Sequence, residues 1–552
     1  MATKSILINF AGYSNEPFNF MPDNGMANLA ACLIKKGHKT VIWDCSTVDL
    51  VNEYYPHIYR DEITDMTNII LDKAKNKMTL TEKELSYYND LNNKLNIFYD
   101  AKITDIGNKI SDYIKNNRID FIGMKLWTGE GFAGSIVIAK LLREKNPRIP
   151  IFAGGPHVDW FMERIFNVTD VFDILAYGEG EETITLLAEY VEDIKSLRDI
   201  SNIIFKENNK IIVNPLKRIS NLNEIPNPVY DDDVYLAMKD DKKVKIILID
   251  ESRGCPNSCN FCIHPLKSGK KRRVMSYKRV VDIIEDTMKK HKINAFRFAG
   301  SNPPTHLLTE IAQEIIKRGL NIKYSSFAHV GNISPNYFKL LKKSGCCALA
   351  FGVESGSQII LDKSLNKKSS INKIKETLKM CKASGIKVIA SLIIPAPMET
   401  EKTKQETFEL MREVRPDSTV VFFPTMILKT EWDKNQEKYG FKINDPDELY
   451  RTAMTYKINH LMPSLSLGLK GYILDGKTFK DIVNETSDFI NRLKENKLST
   501  QLFDQIFLLS EFTDMPAEIF GKITHECIIT GNYSKIKEII SNINKNITLN
   551  NN

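Results

Sequence analysis

The chain has 552 residues, room for roughly three to four domains at about 150 residues each. Lysine and arginine number 76 against 69 aspartates and glutamates, and the net +7 is too dilute to select nucleic acid or a membrane surface. An apolar share of 42% and a charged share of 26% exclude a disordered chain, and nine cysteines exclude a disulfide scaffold.

Residues 1–12 lack the basic stretch and apolar core of a signal peptide, and no apolar run reaches the roughly 18 residues of a membrane span. A cytoplasmic protein without a membrane span is expected. Residues 6–10 form a β-rich run, and 26–34 carry apolar side chains at helical spacing. Strands follow at 40–43, 121–126, 149–153 and 173–177, with helices at 132–142 and 181–191. Such alternation predicts a doubly wound, Rossmann-like α/β domain over residues 1–200. Within it, residues 60–118 interrupt the rhythm, yet Ile103, Ile106, Ile110 and Ile114 keep a helical period, so a helical insertion is expected. Apolar runs at 203–205 and 211–213 flank Asn208-Asn209 as a hairpin, and a Pro- and Asp-rich segment follows. Residues 201–243 therefore read as a connecting hairpin and linker.

Alternation restarts with strands at 246–249, 295–299, 322–326, 348–353, 388–394 and 419–423. Helical patterns lie between them at 277–290, 307–318, 336–343, 371–384 and 403–413. Six β/α units fall short of the eight of a closed barrel, which predicts an open partial (β/α)6 barrel over 244–435. From about residue 440 only helical periodicity remains, as at Leu502, Ile506 and Leu509, and a helical domain is expected over 436–552.

The strongest chemical signal is Cys255-Pro-Asn-Ser-Cys259-Asn-Phe-Cys262, directly after the first strand of the second series. Three thiolates at these spacings wrap one iron–sulfur cluster and leave one iron without a protein ligand. A structural zinc site takes four closed ligands, and His264, two residues past Cys262, is an awkward fourth. The other six cysteines show no such spacing and read as small buried hydrophobes.

From about residue 245 to 427 the chain resembles the radical S-adenosylmethionine (SAM) superfamily, on the cysteine motif with its aromatic residue before the last cysteine. The resemblance implies that Cys255, Cys259 and Cys262 hold a four-iron four-sulfur cluster whose open iron SAM chelates. It implies Phe261 near the adenine, Glu354 of Gly352-Val-Glu-Ser355 on the ribose, and Ser391 to Ile394 along the adenosine pocket. Two places depart from the family pattern. Ala299-Gly300-Ser301-Asn302 stands where a Gly-rich acidic turn is usual, leaving Ser301 or Asn302 to accept from the SAM ammonium. Pro395-Ala-Pro397-Met-Glu399-Thr400 stands where Gly-x-Pro-Gly-Glu-Thr is usual.

A second signal lies in the first domain. Leu126-Trp-Thr128-Gly129, Gly154-Gly155-Pro156-His157 and Tyr177-Gly178-Glu-Gly180-Glu181 follow three successive strands. Small residues at the carboxyl ends of parallel strands let backbone amides approach a ligand, and helix N-termini there favour anionic groups. Together they resemble the cobalamin-binding domain placed ahead of many radical SAM enzymes. That resemblance implies Trp127 and Thr128 beneath the corrin, Gly154, Gly155 and His157 along its edge, and Gly178, Glu179 and Gly180 around the nucleotide tail. None of the nine histidines has Asp two positions before it, so no motif histidine ligates cobalt. The run Lys267 to Arg273 reads either as a solvated loop or as a clamp for an anionic substrate or a reductase.

The two resemblances imply a cobalamin-dependent radical SAM methyltransferase acting on an unactivated carbon of a small-molecule or peptide-derived substrate. Its expected electron donor is a flavodoxin or ferredoxin, and no nucleic-acid partner is expected. The rivals are a non-methylating cobalamin radical enzyme that cyclises or contracts a ring, a methylthiotransferase, and a corrinoid or redox sensor.

Overall fold

The computed structural model describes residues 2–13, 16–76, 78–331, 333–456, 461 and 471–549. Its first sheet contains β1 (Lys4–Asn9), β2 (Lys39–Asp44), β3 (Phe121–Lys125), β4 (Ile151–Gly154) and β5 (Ile174–Ala176), parallel in the order β2-β1-β3-β4-β5. A strand covered on both faces needs apolar side chains on both, and Ile6, Leu7 and Ile8 of β1 are all buried. The order reverses between β1 and β3, which opens a crevice at the carboxyl ends of the strands. Residues 60–118 hold two helices, Arg60–Lys75 and Glu82–Asn117, the second opened by a capping box of Thr81 and Glu84.

The hairpin read as a connector instead extends this sheet. β6 (Ile203–Glu207) pairs antiparallel with β5, and β7 (Lys210–Val213) forms the edge. Ile203, Ile204 and Phe205 are buried in consequence, an apolar run that a solvated linker has no way to cover.

β8 (Ile247–Ile249) starts the second sheet, and an antiparallel ribbon of β9 (Ser252–Arg253) and β10 (Arg273–Val274) follows it. β11 (Ala295–Phe298), β12 (Lys323–Ala328), β13 (Cys346–Glu354), β14 (Lys387–Ile393) and β15 (Ser418–Phe422) then line up in parallel. The sheet runs β8-β11-β12-β13-β14-β15 and does not close, giving the partial six-unit barrel. Serine or threonine caps start three of its crossover helices, at Ser276, Ser370 and Thr400.

The C-terminal region is helical, with one addition. β16 (Phe441–Lys442) and β17 (Ile473–Leu474) form a two-stranded ribbon too short to leave a period in the sequence. Residues 457–460, 462–470 and 550–552 of the expected helical domain lie outside the described residues. Helix Asp504–Ser510 packs on β12, β13 and β14, and buried Asp504 accepts from Arg297 at 2.8 and 3.1 Å and from Ser325 at 2.7 Å. The last helix, Tyr533–Leu549, reaches back to the first domain, where Lys537 pairs with Asp49 at 2.8 Å. Among the described residues no helix is long and apolar enough to cross a membrane.

Candidate active site

The cysteine loop leaves the barrel immediately after β9. Gly254 has φ 86°, and a side chain there would collide with the Lys271 carbonyl, so the loop can fold back only with glycine. The Cys255 amide donates to Gly269 O at 3.0 Å, and the Cys262 amide to Cys259 O at 3.1 Å. Asn260 pins the centre of the loop. Its amide donates to Leu365 O at 3.0 Å, and its side chain donates to Ser364 O at 2.9 Å and Tyr439 Oη at 3.0 Å. All three thiols are half-buried and free. Burial pushes the Cys259 thiol up and the Cys262 thiol to about 12, and each is raised further by the neighbouring thiols. Among the described residues, no three His, Cys, Asp or Glu side chains converge closely enough for a single metal ion. Three thiols on one loop match an iron–sulfur cluster, which spreads its ligands farther apart. His264 follows the loop, with its Nδ1 3.0 Å from Ser301 Oγ.

Of the expected SAM contacts, Ser301, Asn302 and Glu354 lie beside this loop. Asn302 is buried and its amide donates to Cys255 Sγ at 3.1 Å, so one of its polar atoms already faces the thiols. Glu354, at the end of β13, adopts φ 67°, and its carboxylate pairs with Lys367 at 2.8 Å. Gly352 makes that pairing possible, because a side chain there would stand 2.5 Å from Glu354 Oε1 and 2.7 Å from Lys367 Nζ. Phe261 packs 5.7 Å from the Trp432 ring, and Ser391 donates to Phe351 O at 3.4 Å.

Two residues here had no motif to announce them. Lys367 belongs to an ordinary Asn-Lys-Lys stretch, and only the fold brings its charge beside Glu354 and the thiols. Glu251, just before the cysteine loop, is fully buried beneath Gly300, whose amide donates to it at 3.0 Å. Burial raises its carboxyl to about 7. Glu399 turns away from this region: it accepts from Ala396 N at 3.0 Å and Thr403 Oγ1 at 2.6 Å and closes its own loop.

Two adjoining cavities lie between the sheets. The first, about 370 Å³, is lined by Gly154, Gly155, Gly178 and Gly180 from the first sheet and by Asp250 and Ser301 from the barrel. The second, about 480 Å³, contains Trp127 and Thr128 and shares Gly25, Lys125 and Asp250 with the first. Trp127 is held from two sides, by a 2.8 Å bond from Nε1 to Asn9 Oδ1 and by Lys125 Nζ 4.3 Å from the ring centre. The carboxyl ends of both sheets thus face one space.

Residues 251–411 match the family model of the radical SAM superfamily, and residues 95–188 match that of the B12 binding domain. The chain thus joins a B12 binding domain to a radical SAM domain. The uncharacterized methyltransferase PH0819 of Pyrococcus horikoshii is 28% identical over 316 residues, 56% of this chain and 67% of that one. The anaerobic magnesium-protoporphyrin IX monomethyl ester cyclase of Rubrivivax gelatinosus is 26% identical over 333 residues, 58% of this chain and 59% of that one. The match therefore spans less than two thirds of the cyclase. Among solved structures, the radical SAM methyltransferase TsrM of Kitasatospora setae, with cobalamin and a four-iron four-sulfur cluster bound, shares the fold. Its TM-score is 0.65 at 12% identity, over 98% of this chain and 100% of that one. The cofactors that these two domains imply are that cluster, SAM and cobalamin, and the thiol loop and the glycine-lined cavity fit them.

Of two residues expected to contact cobalamin, His157 at the corrin edge is placed otherwise and Glu179 at the nucleotide tail is already engaged by the protein. His157 does not line the cavities. The short helix Pro156–Phe161 turns it into the core, where Phe132 lies 4.1 Å and Phe161 4.8 Å from its ring, and neither ring nitrogen has a partner. Glu179 reaches the first cavity, but Arg273 grips its carboxylate at 2.9 and 2.5 Å and the Ile219 amide donates to it at 2.7 Å. The basic run is accordingly no solvated loop at either end. Lys267 pairs with Asp159 at 2.6 Å, Arg273 with Glu179, and nearby Arg253 with Glu181, so three cations of the barrel clasp three acids of the cobalamin domain.

Burial lowers the His157 pKa from 6.5 to about 3, so the folded protein keeps this ring neutral. An unfolded chain takes up the proton first as pH falls, and stability is lost from about pH 6.5 down to about 3. His157→Phe is expected to raise stability by about 1–3 kcal/mol by removing two unsatisfied buried atoms. It should also flatten the fall in the denaturation midpoint between pH 7 and 5 and leave cobalamin content unchanged. A variant that loses cobalamin would return His157 to the corrin.

Proposed function

We propose that this protein is a cytoplasmic cobalamin-dependent radical SAM methyltransferase that places a methyl group on an unactivated carbon of a small-molecule or peptide-derived substrate. The observation that carries this reading is the shared space, walled by the carboxyl ends of both sheets and lined by Arg253 and His264, which flank the thiol loop on either side. When bound, the cluster and SAM supply hydrogen abstraction, and cobalamin supplies the methyl group. The chain supplies the geometry. Asn260 and Asn302 hold the thiol loop, Lys367 and Glu354 set a charged pair beside it, and the clasp fixes one strand-end layer against the other. Electrons come from a flavodoxin- or ferredoxin-type donor.

The methyltransferase name of the Pyrococcus horikoshii relative favours this reading, and the Rubrivivax gelatinosus cyclase favours a non-methylating alternative. The way SAM is consumed separates them. Methylation of such a carbon uses one SAM as methyl donor and another as radical source. Anaerobic turnover with labelled SAM should give S-adenosylhomocysteine and 5′-deoxyadenosine in nearly equal amounts and a product heavier by one methyl. A product of unchanged methyl count, with 5′-deoxyadenosine in excess, would overturn the assignment in favour of the cyclase-like reading.

A further inference from the structure

A third cavity, about 270 Å³, opens beside Thr128 and shares no lining residue with the glycine-lined cavity. Its walls come from three places: Trp160 and Phe161 after β4, Phe423 and Met426 after β15, and Ala453 and Phe479 of the C-terminal region. Loops after barrel strands are where substrates of such folds are met, and the volume lies near the lower end, about 300 Å³, of small-molecule sites.

Its chemistry differs from that of its neighbours. The glycine-lined cavity carries Lys125, Asp159, Glu181, Arg253 and Lys267, whereas among the described residues no charged side chain lines the third. Three tyrosines line it, yet their hydroxyls are engaged with the protein. Tyr450 donates to Asp433 Oδ1 at 2.9 Å, Tyr472 donates to the Pro424 carbonyl, and Tyr456 Oη lies 3.5 Å from Thr128 Oγ1. What remains toward the space is mostly ring faces, thioether and aliphatic carbon, with the uncharged hydroxyls of Thr425 and Thr452. A carboxylate or phosphate placed there would find no counter-charge and would lose its water. Thr128 and Tyr456 also line the Trp127 cavity, so this contact is the wall that the two spaces share.

We propose that the third cavity binds part of the substrate, and that this part is an uncharged apolar group about the size of one or two fused rings. The proposal rests on the methyltransferase reading and names the substrate class for it.

Protein loaded with cluster and cobalamin can be probed with naphthalene and 1-naphthoate, which differ by one carboxylate, using saturation-transfer NMR. Naphthalene should bind at least about tenfold more tightly than 1-naphthoate. Ala453→Trp, which fills the space, and Met426→Lys, which charges its wall, should each weaken naphthalene by about tenfold or more. Iron and cobalamin contents equal to the parent's establish that the variants are folded. Equal binding of the two probes by the parent protein, or unweakened naphthalene binding by folded Ala453→Trp, would overturn the proposal. The binding assay needs no turnover. A product of unchanged methyl count therefore defeats the methyl-transfer reading alone, and loss of probe selectivity defeats the cavity assignment alone.

Discussion

Alanine at Cys255, Cys259 or Cys262 is expected to abolish SAM cleavage and to reduce iron from about four per chain to a small residual amount. The expectation follows from the loop rather than from the motif alone. The three thiols lie on one segment whose backbone is closed by Gly254 and pinned by Asn260, so the loop is held in place when one thiol is removed and cannot close over the gap. Cys346→Ala is the matched control: that thiol is buried at the start of β13, and its loss should leave iron unchanged. Iron and acid-labile sulfide after anaerobic reconstitution, with 5′-deoxyadenosine formation, are the measurements. Tight zinc with little iron in the parent protein would sink the cluster assignment.

What the sequence makes legible follows from how local each interaction is. β1 and β13 show as apolar runs because both faces of a parallel strand are buried, and the thiol loop shows because its ligands lie within eight consecutive residues. The hairpin of β6 and β7 is visible as a hairpin, but its partner strand is not, since pairing with β5 is a tertiary choice. His157 misleads for a related reason. Its place after Gly154-Gly155 suggests the cavity, and only the rotation of the short helix Pro156–Phe161 shows that it faces Phe132. Lys367 meets Glu354 across 13 residues, and Arg273 meets Glu179 across 94, with no motif at either end. The apolar cavity is least legible of all, because its wall joins residues from Thr128 to Phe479.

Arg273→Met is expected to destabilise the docking of the cobalamin domain on the barrel and to lower cobalamin retention. The guanidinium makes two bonds to Glu179, and the side chains are 10% and 6% exposed, so solvent cannot replace the lost charge. With Arg273 gone, Glu179 keeps the Ile219 amide and the distant Arg253, whose nearest nitrogen is 4.0 Å away. Removing one member of a buried pair typically costs about 3–5 kcal/mol, most of it the penalty of the charge left behind. The double variant Arg273→Met with Glu179→Gln removes that charge as well, and should recover a large part of the loss although it restores no contact. Thermal denaturation and cobalamin content of the single and double variants give the comparison. Were the single variant to lose less than about 1 kcal/mol, as exposed pairs do, the clasp would be incidental to domain docking. A loss in the single variant that the double variant does not relieve would mean that Arg273 acts through its packing or through the Ile219 and Ser268 carbonyls it also reaches, rather than through Glu179.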